Sequence, residues 1–164
     1  MSQLIIRHVL PEDLDECFLV ESSGFSPEEA ATRETIQLRI ERFPEGFLVA
    51  EVDGRVVGIL NSAATDKTDL SDEELKQLVG HDPAGRNLVV FALAVLPDYR
   101  KQGIARQLMA RFADEAREQG KENILLMCKQ HLIAYYERMG FVHAGLSKST
   151  HGGAEWHEMR LTLK

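Results

Sequence analysis

The stretch VLPDYRKQGIARQL, Val95 to Leu108, decides the fold. It begins at the end of LVVFALAV (Leu88–Val95), a run apolar on both faces and therefore a central strand. It ends inside GIARQLMARFADEAREQG (Gly103–Gly120), an amphipathic helix closed by a glycine. Between them lies a short basic turn. The first N–H groups of a helix have no intrahelical acceptor and carry partial positive charge, so an anion docks there. Gly103 removes a side chain and lets an anion reach the backbone. Ala105 keeps the first turn uncrowded, and Arg100 and Lys101 add charge. Read this way, the turn is a diphosphate site. It is not a Walker loop, because no Gly-Lys-Ser/Thr follows, and it lacks the three glycines of the dinucleotide fingerprint. Read blandly, it is a solvated basic turn.

Outward from this junction the chain alternates strands and helices. LIIRHVL (Leu4–Leu10) reads as a first strand. PEDLDECFLVESSGF opens with Pro11 and two acids and reads as a helix. SPEEAATRETIQLRIERF repeats that opening from Ser26 and predicts a second helix with Ile36, Ile40 and Phe43 on one face. GFLVAEVDGRVVGILNSAATD predicts a hairpin turning at Asp53–Gly54. SDEELKQLVG (Ser71–Gly80) reads as a short acidic helix, NILLMC (Asn123–Cys128) as a buried strand, and HLIAYYERMGF (His131–Phe141) as a last helix. VHAGLSKST and WHEMRLTL predict a terminal strand pair. The expected fold is α/β, one domain over residues 1–164, with a mixed central sheet flanked by helices.

Composition narrows the function. The chain has 164 residues, 44% hydrophobic and 27% charged, which suits a globular domain with a real core. A net charge of −7 argues against general nucleic-acid binding and favours approach of a cationic substrate. Cys17 and Cys128 lack zinc-site spacing and suggest no disulfide framework. The six histidines show no metal-ligand spacing, so no metal is expected. The N-terminus has no signal-peptide layout and no apolar run reaches membrane-spanning length. A cytoplasmic protein with no membrane partner is the expectation.

Arg100, Gly103 and Ala105 stand as Arg-x-x-Gly-x-Ala after LAV and PDYR, and AYYERMGF (Ala134–Phe141) follows at a distance. Together these resemble the GNAT superfamily of N-acetyltransferases, whose two separated motifs occur in this order. FPEGFLVAE, DKTDLSDEEL, LLMC and AYYERMGF narrow the resemblance to the arylalkylamine N-acetyltransferase group and its bacterial relatives, over roughly Val20 to Gly145. The resemblance implies acetyl-CoA as co-substrate and a small-molecule primary amine as acceptor. Homodimers are common in the superfamily, and a homodimer is one expectation here. The implied cofactor-binding residues are Arg100, Lys101, Gln102, Gly103, Ile104 and Ala105 around the pyrophosphate. The main chain of Leu93, Ala94 and Val95 is implied to serve the pantetheine and acetyl carbonyl.

The resemblance also places Tyr136 on the family's general-acid tyrosine. A phenol near the thioester sulfur can stabilise or protonate the departing thiolate. The alternative is a packed aromatic on a short helix, the reading favoured for Tyr135. The animal enzymes of this group carry two histidines on the central strand; Val89 and Phe91 stand at those positions and cannot carry a proton. Glu21, Asp66, His131 or an ordered water are the candidates to take the amine proton. Glu21 lies where the resemblance puts the acceptor pocket, and a solvated helix acid is its bland reading. Asn61 is a candidate pocket residue or a strand terminus, and Trp156 is core or rim. A rival class is a module that binds acetyl-CoA without turnover, and polyamines, amino sugars, antibiotics and protein N-termini are alternative acceptors.

Overall fold

A computed structural model describes residues 3–68, 70–71 and 73–163. The strands are β1 (Leu4–His8), β2 (Phe47–Val52), β3 (Arg55–Thr65), β4 (Asn87–Val95), β5 (Asn123–Cys128), β6 (Val142–Leu146) and β7 (His157–Thr162). The helices are α1 (Leu14–Gly24), α2 (Arg33–Arg42), α3 (Ile104–Glu118) and α4 (Ile133–Glu137). The strands form one mixed sheet in the order β1-β2-β3-β4-β5-β7-β6. β4 and β5 pair in parallel, while β1–β2, β2–β3, β5–β7 and β6–β7 are antiparallel. This is the α/β fold with a mixed sheet that the alternation predicts. The terminal strand pair forms as expected, with β7 placed between β5 and β6 so that β6 is the edge strand.

The chain divides into two compact units, residues 1–62 with 92–112, and 63–91 with 113–164. In the first unit the β2–β3 hairpin turns at Asp53 and Gly54, with φ of 51° and 83°. Those left-handed angles match the type I′ turn that Asp-Gly favours. Phe47, Leu48, Val49, Ile59 and Leu60 are buried along the hairpin. Gly58 lets α3 approach: a Cβ there would lie 3.2 Å from the Leu108 methyl. β1 joins α1 through a short 3-10 turn, Pro11–Asp13. There the Asp13 carboxylate takes both Arg7 amino groups, at 2.8 and 3.0 Å, and the Leu10 N–H at 2.7 Å.

Three helices differ from their sequence reading. The second was expected from Ser26, but α2 starts at Arg33. The Ser-Pro-Glu-Glu opening makes only a local turn, in which Glu29 and Ala30 N–H groups return to the Ser26 carbonyl. Thr32 is extended and its hydroxyl accepts the Thr35 N–H, which makes it the true cap. The acidic segment expected as a helix over 71–80 is a 3-10 helix, Glu73–Gln77, ended by Leu78 at a φ of 62°. Its Asp72, with Asp69 before it, lies outside the described residues. The last helix, expected over His131–Phe141, is a 3-10 turn at Gln130–Leu132 followed by the five residues of α4.

Candidate active site

The turn after β4 belongs to the first unit. Leu96 donates its N–H to the Val57 carbonyl at 2.8 Å, and a 3-10 turn, Pro97–Tyr99, leads to Arg100. Lys101 and Gly103 then take φ of 63° and 81°. The first bond of α3 runs from Gln107 N–H to the Gly103 carbonyl at 3.0 Å. The N–H groups of Ile104, Ala105 and Arg106 come before that bond and have no acceptor in the helix. Lys101, Gln102 and Gly103 are exposed, Ala105 is half-buried and Ile104 is buried as the anchor of the turn. A Cβ on Gly103 would meet nothing nearer than the Gln107 amide nitrogen, at 4.0 Å. Glycine is therefore required here for its positive φ, and the space beside it is open.

Arg100 does more than add charge. Its Nε donates to the Val95 carbonyl at 2.9 Å and one amino group reaches the Ser23 carbonyl at 3.4 Å. It braces the end of β4 and the last turn of α1 while its side chain stays exposed. Gly24 permits that approach, since a Cβ there would lie 3.0 Å from the Ala94 Cβ.

β4 pairs with β5 from Asn87↔Asn123 to Val90↔Leu126, and β4 then runs on to Val95. Leu93, Ala94 and Val95 thus lie past the end of that ladder. Phe91 and Leu93 alternate as the two half-buried positions of an otherwise buried strand. Val89 is buried. Neither Val89 nor Phe91 offers a base.

Glu21 is buried near the end of α1, at 3% exposure, and its Oε2 accepts the Ala31 N–H at 2.9 Å. Arg39 of α2 is equally buried and donates to Asn61 Oδ1 at 3.2 Å. Burial pushes the Arg39 guanidinium down to about 10, and the Glu21 charge opposes that fall. Glu21 and Asn61 were candidates from the sequence, but Arg39, which joins them in a buried polar cluster, was missed. Its only signal was its place between Ile36 and Ile40 on the apolar side of α2. The Asn61 side chain is fully buried, and its Nδ2 finds no partner among the described residues.

Tyr136 lies in the second unit, on α4. It is buried, edge-on to Tyr135 with ring centres 5.2 Å apart and to Phe141 at 5.8 Å. Burial raises its phenol far above the usual value, and Tyr135 and Cys128 add to the effect. Burial likewise pushes the Cys128 thiol up to about 11. Asp66 accepts the Arg86 N–H at 3.0 Å and serves its own loop. His131 is exposed on the turn before α4. Trp156 is buried, its indole bonded to the His151 carbonyl at 2.9 Å. The histidines are less scattered than the sequence implies: His143 Nε2 lies 3.1 Å from His157 Nδ1 across β6 and β7. Among the described residues no cluster of three or more His, Cys, Asp or Glu is placed to hold a metal ion. No helix among them is long and apolar enough to cross a membrane.

Residues 9–141 match the model of the Acetyltransferase (GNAT) family, and the chain belongs to that family. It is 27% identical to serotonin N-acetyltransferase of Mesocricetus auratus over 166 residues, covering 96% of this chain and 77% of that protein. It is 26% identical over 131 residues to the probable hydrolase YhcX of Bacillus subtilis (strain 168). That match covers 76% of this chain but spans only about a quarter (26%) of YhcX. Among solved structures, the loading GNATL domain of CurA from Lyngbya majuscula shares the fold with a TM-score of 0.87, covering 98% of each chain at 17% identity.

Proposed function

We propose that this chain is an acetyl-CoA-dependent N-acetyltransferase, one domain acting on the primary amine of a small molecule, with an arylalkylamine as the first acceptor to test. The observation that carries the reading is the turn from Arg100 to Ala105. It presents two left-handed residues, an open glycine and unpaired helix N–H groups directly after a strand that has outrun its ladder with β5. Such a site suits a diphosphate, and the family suits a thioester.

When bound, acetyl-CoA supplies an activated acyl carbon. The turn holds the pyrophosphate by backbone N–H groups, with Lys101 nearby, and Arg100 keeps the turn and Val95 in register. Leu93 and Ala94 offer main-chain groups past the end of the ladder. In the transfer, the amine nitrogen forms the new C–N bond, the C–S bond breaks, and the amine proton leaves to solvent. Tyr136 donates a hydrogen bond to the departing sulfur, or gives it a proton that solvent then restores to the phenol. Glu21, a candidate base from the sequence, suits that role poorly, because its carboxylate accepts the Ala31 N–H and senses the Arg39 charge. In this reading it holds the segment between α1 and α2. A cytoplasmic location goes with the reading, since Cys17 and Cys128 are free and buried.

Calorimetry with acetyl-CoA, alongside thiol release in the presence of tyramine and a panel of other amines, tests the proposal. The parent should bind acetyl-CoA, and Arg100→Ala should weaken binding about tenfold, the effect of losing one charge-assisted contact and its brace. Unchanged affinity in Arg100→Ala and in Gly103→Ala would remove the phosphate site. Binding without thiol release to any amine would favour the non-catalytic module, for which the apolar Val89 and Phe91 already speak.

A further inference from the structure

The connection from β6 to β7, residues 147–156, is closed on itself. Ser147 N–H donates to the Trp156 carbonyl at 2.8 Å and the Trp156 indole to the His151 carbonyl at 2.9 Å. Inside the ring, His151 N–H reaches the Ser149 hydroxyl at 3.2 Å, and Ser149 N–H reaches the Ser147 hydroxyl at 3.1 Å. Gly152 and Gly153, at φ of 63° and 73°, make the tip deformable. The loop rests on the end of β5, where the Ser147 hydroxyl meets Met127 Sδ at 3.2 Å. The next residue, Cys128, is near enough to Tyr136 to perturb its phenol.

One side chain ties this loop to a remote segment of the same unit. His151 Nδ1 lies 2.8 Å from Glu73 Oε1, on the 3-10 helix between β3 and β4. Both side chains reach solvent, at 26% and 49% exposure, so protons can reach the contact. Among the described residues, other charges nearby are Lys76, ion-paired to Glu73, Lys129, whose Nζ lies 5.9 Å from the Trp156 ring, and Lys148, exposed in the loop itself. Glu155, also in the loop, lies 3.5 Å from His157 Nε2.

We propose that the His151–Glu73 contact is a proton-controlled latch. It holds the β6–β7 loop closed over the end of β5 while His151 is charged and loosens it when His151 loses its proton. Its link to acyl transfer rests on the reading of Tyr136 as a site residue. The signs are these. Charge on His151 makes the contact a charge-assisted hydrogen bond, and deprotonation leaves a weaker neutral one. At the acid end, burial pulls the Glu73 carboxyl up, but Lys76 and then His151 outweigh it and hold it below the usual carboxylate range. The latch therefore survives acidification until Glu73 itself protonates.

Amide hydrogen exchange in residues 147–156, corrected for intrinsic rates, reads the latch directly between about pH 5 and 8. Protection in the parent should fall about 2- to 5-fold across that range, the size of one partly exposed ion pair. Glu73→Gln and His151→Gln should each flatten the pH dependence and leave the loop at the less protected level throughout. His151→Gln keeps the His143–His157 pair, so a surviving pH dependence in it would assign the effect to that pair and overturn the latch. Parent protection that does not vary with pH would overturn it as well. Exchange is measured without acetyl-CoA or amine, so this outcome is separate from whether the chain transfers acetyl groups.

Discussion

Tyr136 is a residue whose chemistry is set by burial. Its phenol keeps its proton at any ordinary pH, because the anion would be stranded among Tyr135, Phe141 and Cys128. Such a phenol is a reluctant acid but a dependable hydrogen-bond donor. If it assists the departing thiolate, Tyr136→Phe should lower the chemical rate about 10- to 1000-fold while acetyl-CoA affinity barely changes, since the ring and its packing remain. Single-turnover transfer to tyramine beside calorimetry checks this, with Tyr135→Phe as a near-neutral control. Equal rates in parent and Tyr136→Phe would end the general-acid role. Arg100 and Gly103 were legible in the sequence because a turn's chemistry is local. Arg39 was not, because its buried polar contact with Asn61, between a helix and a strand, exists only once both are packed.

At the scale of elements, the junction between β1 and α1 depends on one carboxylate. Asp13 is 5% exposed and is satisfied by Arg7 and the Leu10 N–H. Burial alone would raise its carboxyl, but the Arg7 hydrogen bond and the Leu10 N–H outweigh burial and lower it. A lowered carboxylate contributes stability above its unfolded pKa and loses it as pH falls through the folded value. Asp13→Asn should therefore cost about 1–3 kcal/mol near pH 7, and that difference should shrink as pH drops below about 4. Urea denaturation of parent and variant at both pH values measures it; a difference independent of pH would show that Arg7 contributes no charge-linked stability. Element boundaries were the weaker part of the sequence reading. α2 was expected seven residues early, because Ser-Pro-Glu-Glu carries the same local start signal as Thr32. Tertiary contact decided between them, through Glu21 taking the Ala31 N–H next to the extended Thr32 cap.

For the molecule as a whole, the charge of −7 bears on encounter more than on affinity. If the acceptor is a cationic amine, kcat/KM should fall about threefold or more as salt rises from low to physiological strength, with kcat nearly constant. Steady-state kinetics against a neutral acceptor analogue give the comparison, and equal salt dependence for both would remove electrostatic steering. The sequence alone determined the alternation of strands and helices, the Asp-Gly hairpin, the basic turn opening α3 and the family motif. Each depends on residues within a few positions of one another, where periodicity, turn angles and helix ends act. Only the tertiary structure decided that β7 inserts between β5 and β6, that Arg100 braces Val95 and Ser23, and that Glu21 is buried beside Arg39. It also decided that His151 meets Glu73 from 78 residues away. Those outcomes depend on which distant surfaces exclude water together, and burial, which raises the Tyr136 phenol and lowers the Arg39 guanidinium, has no local signature in the chain.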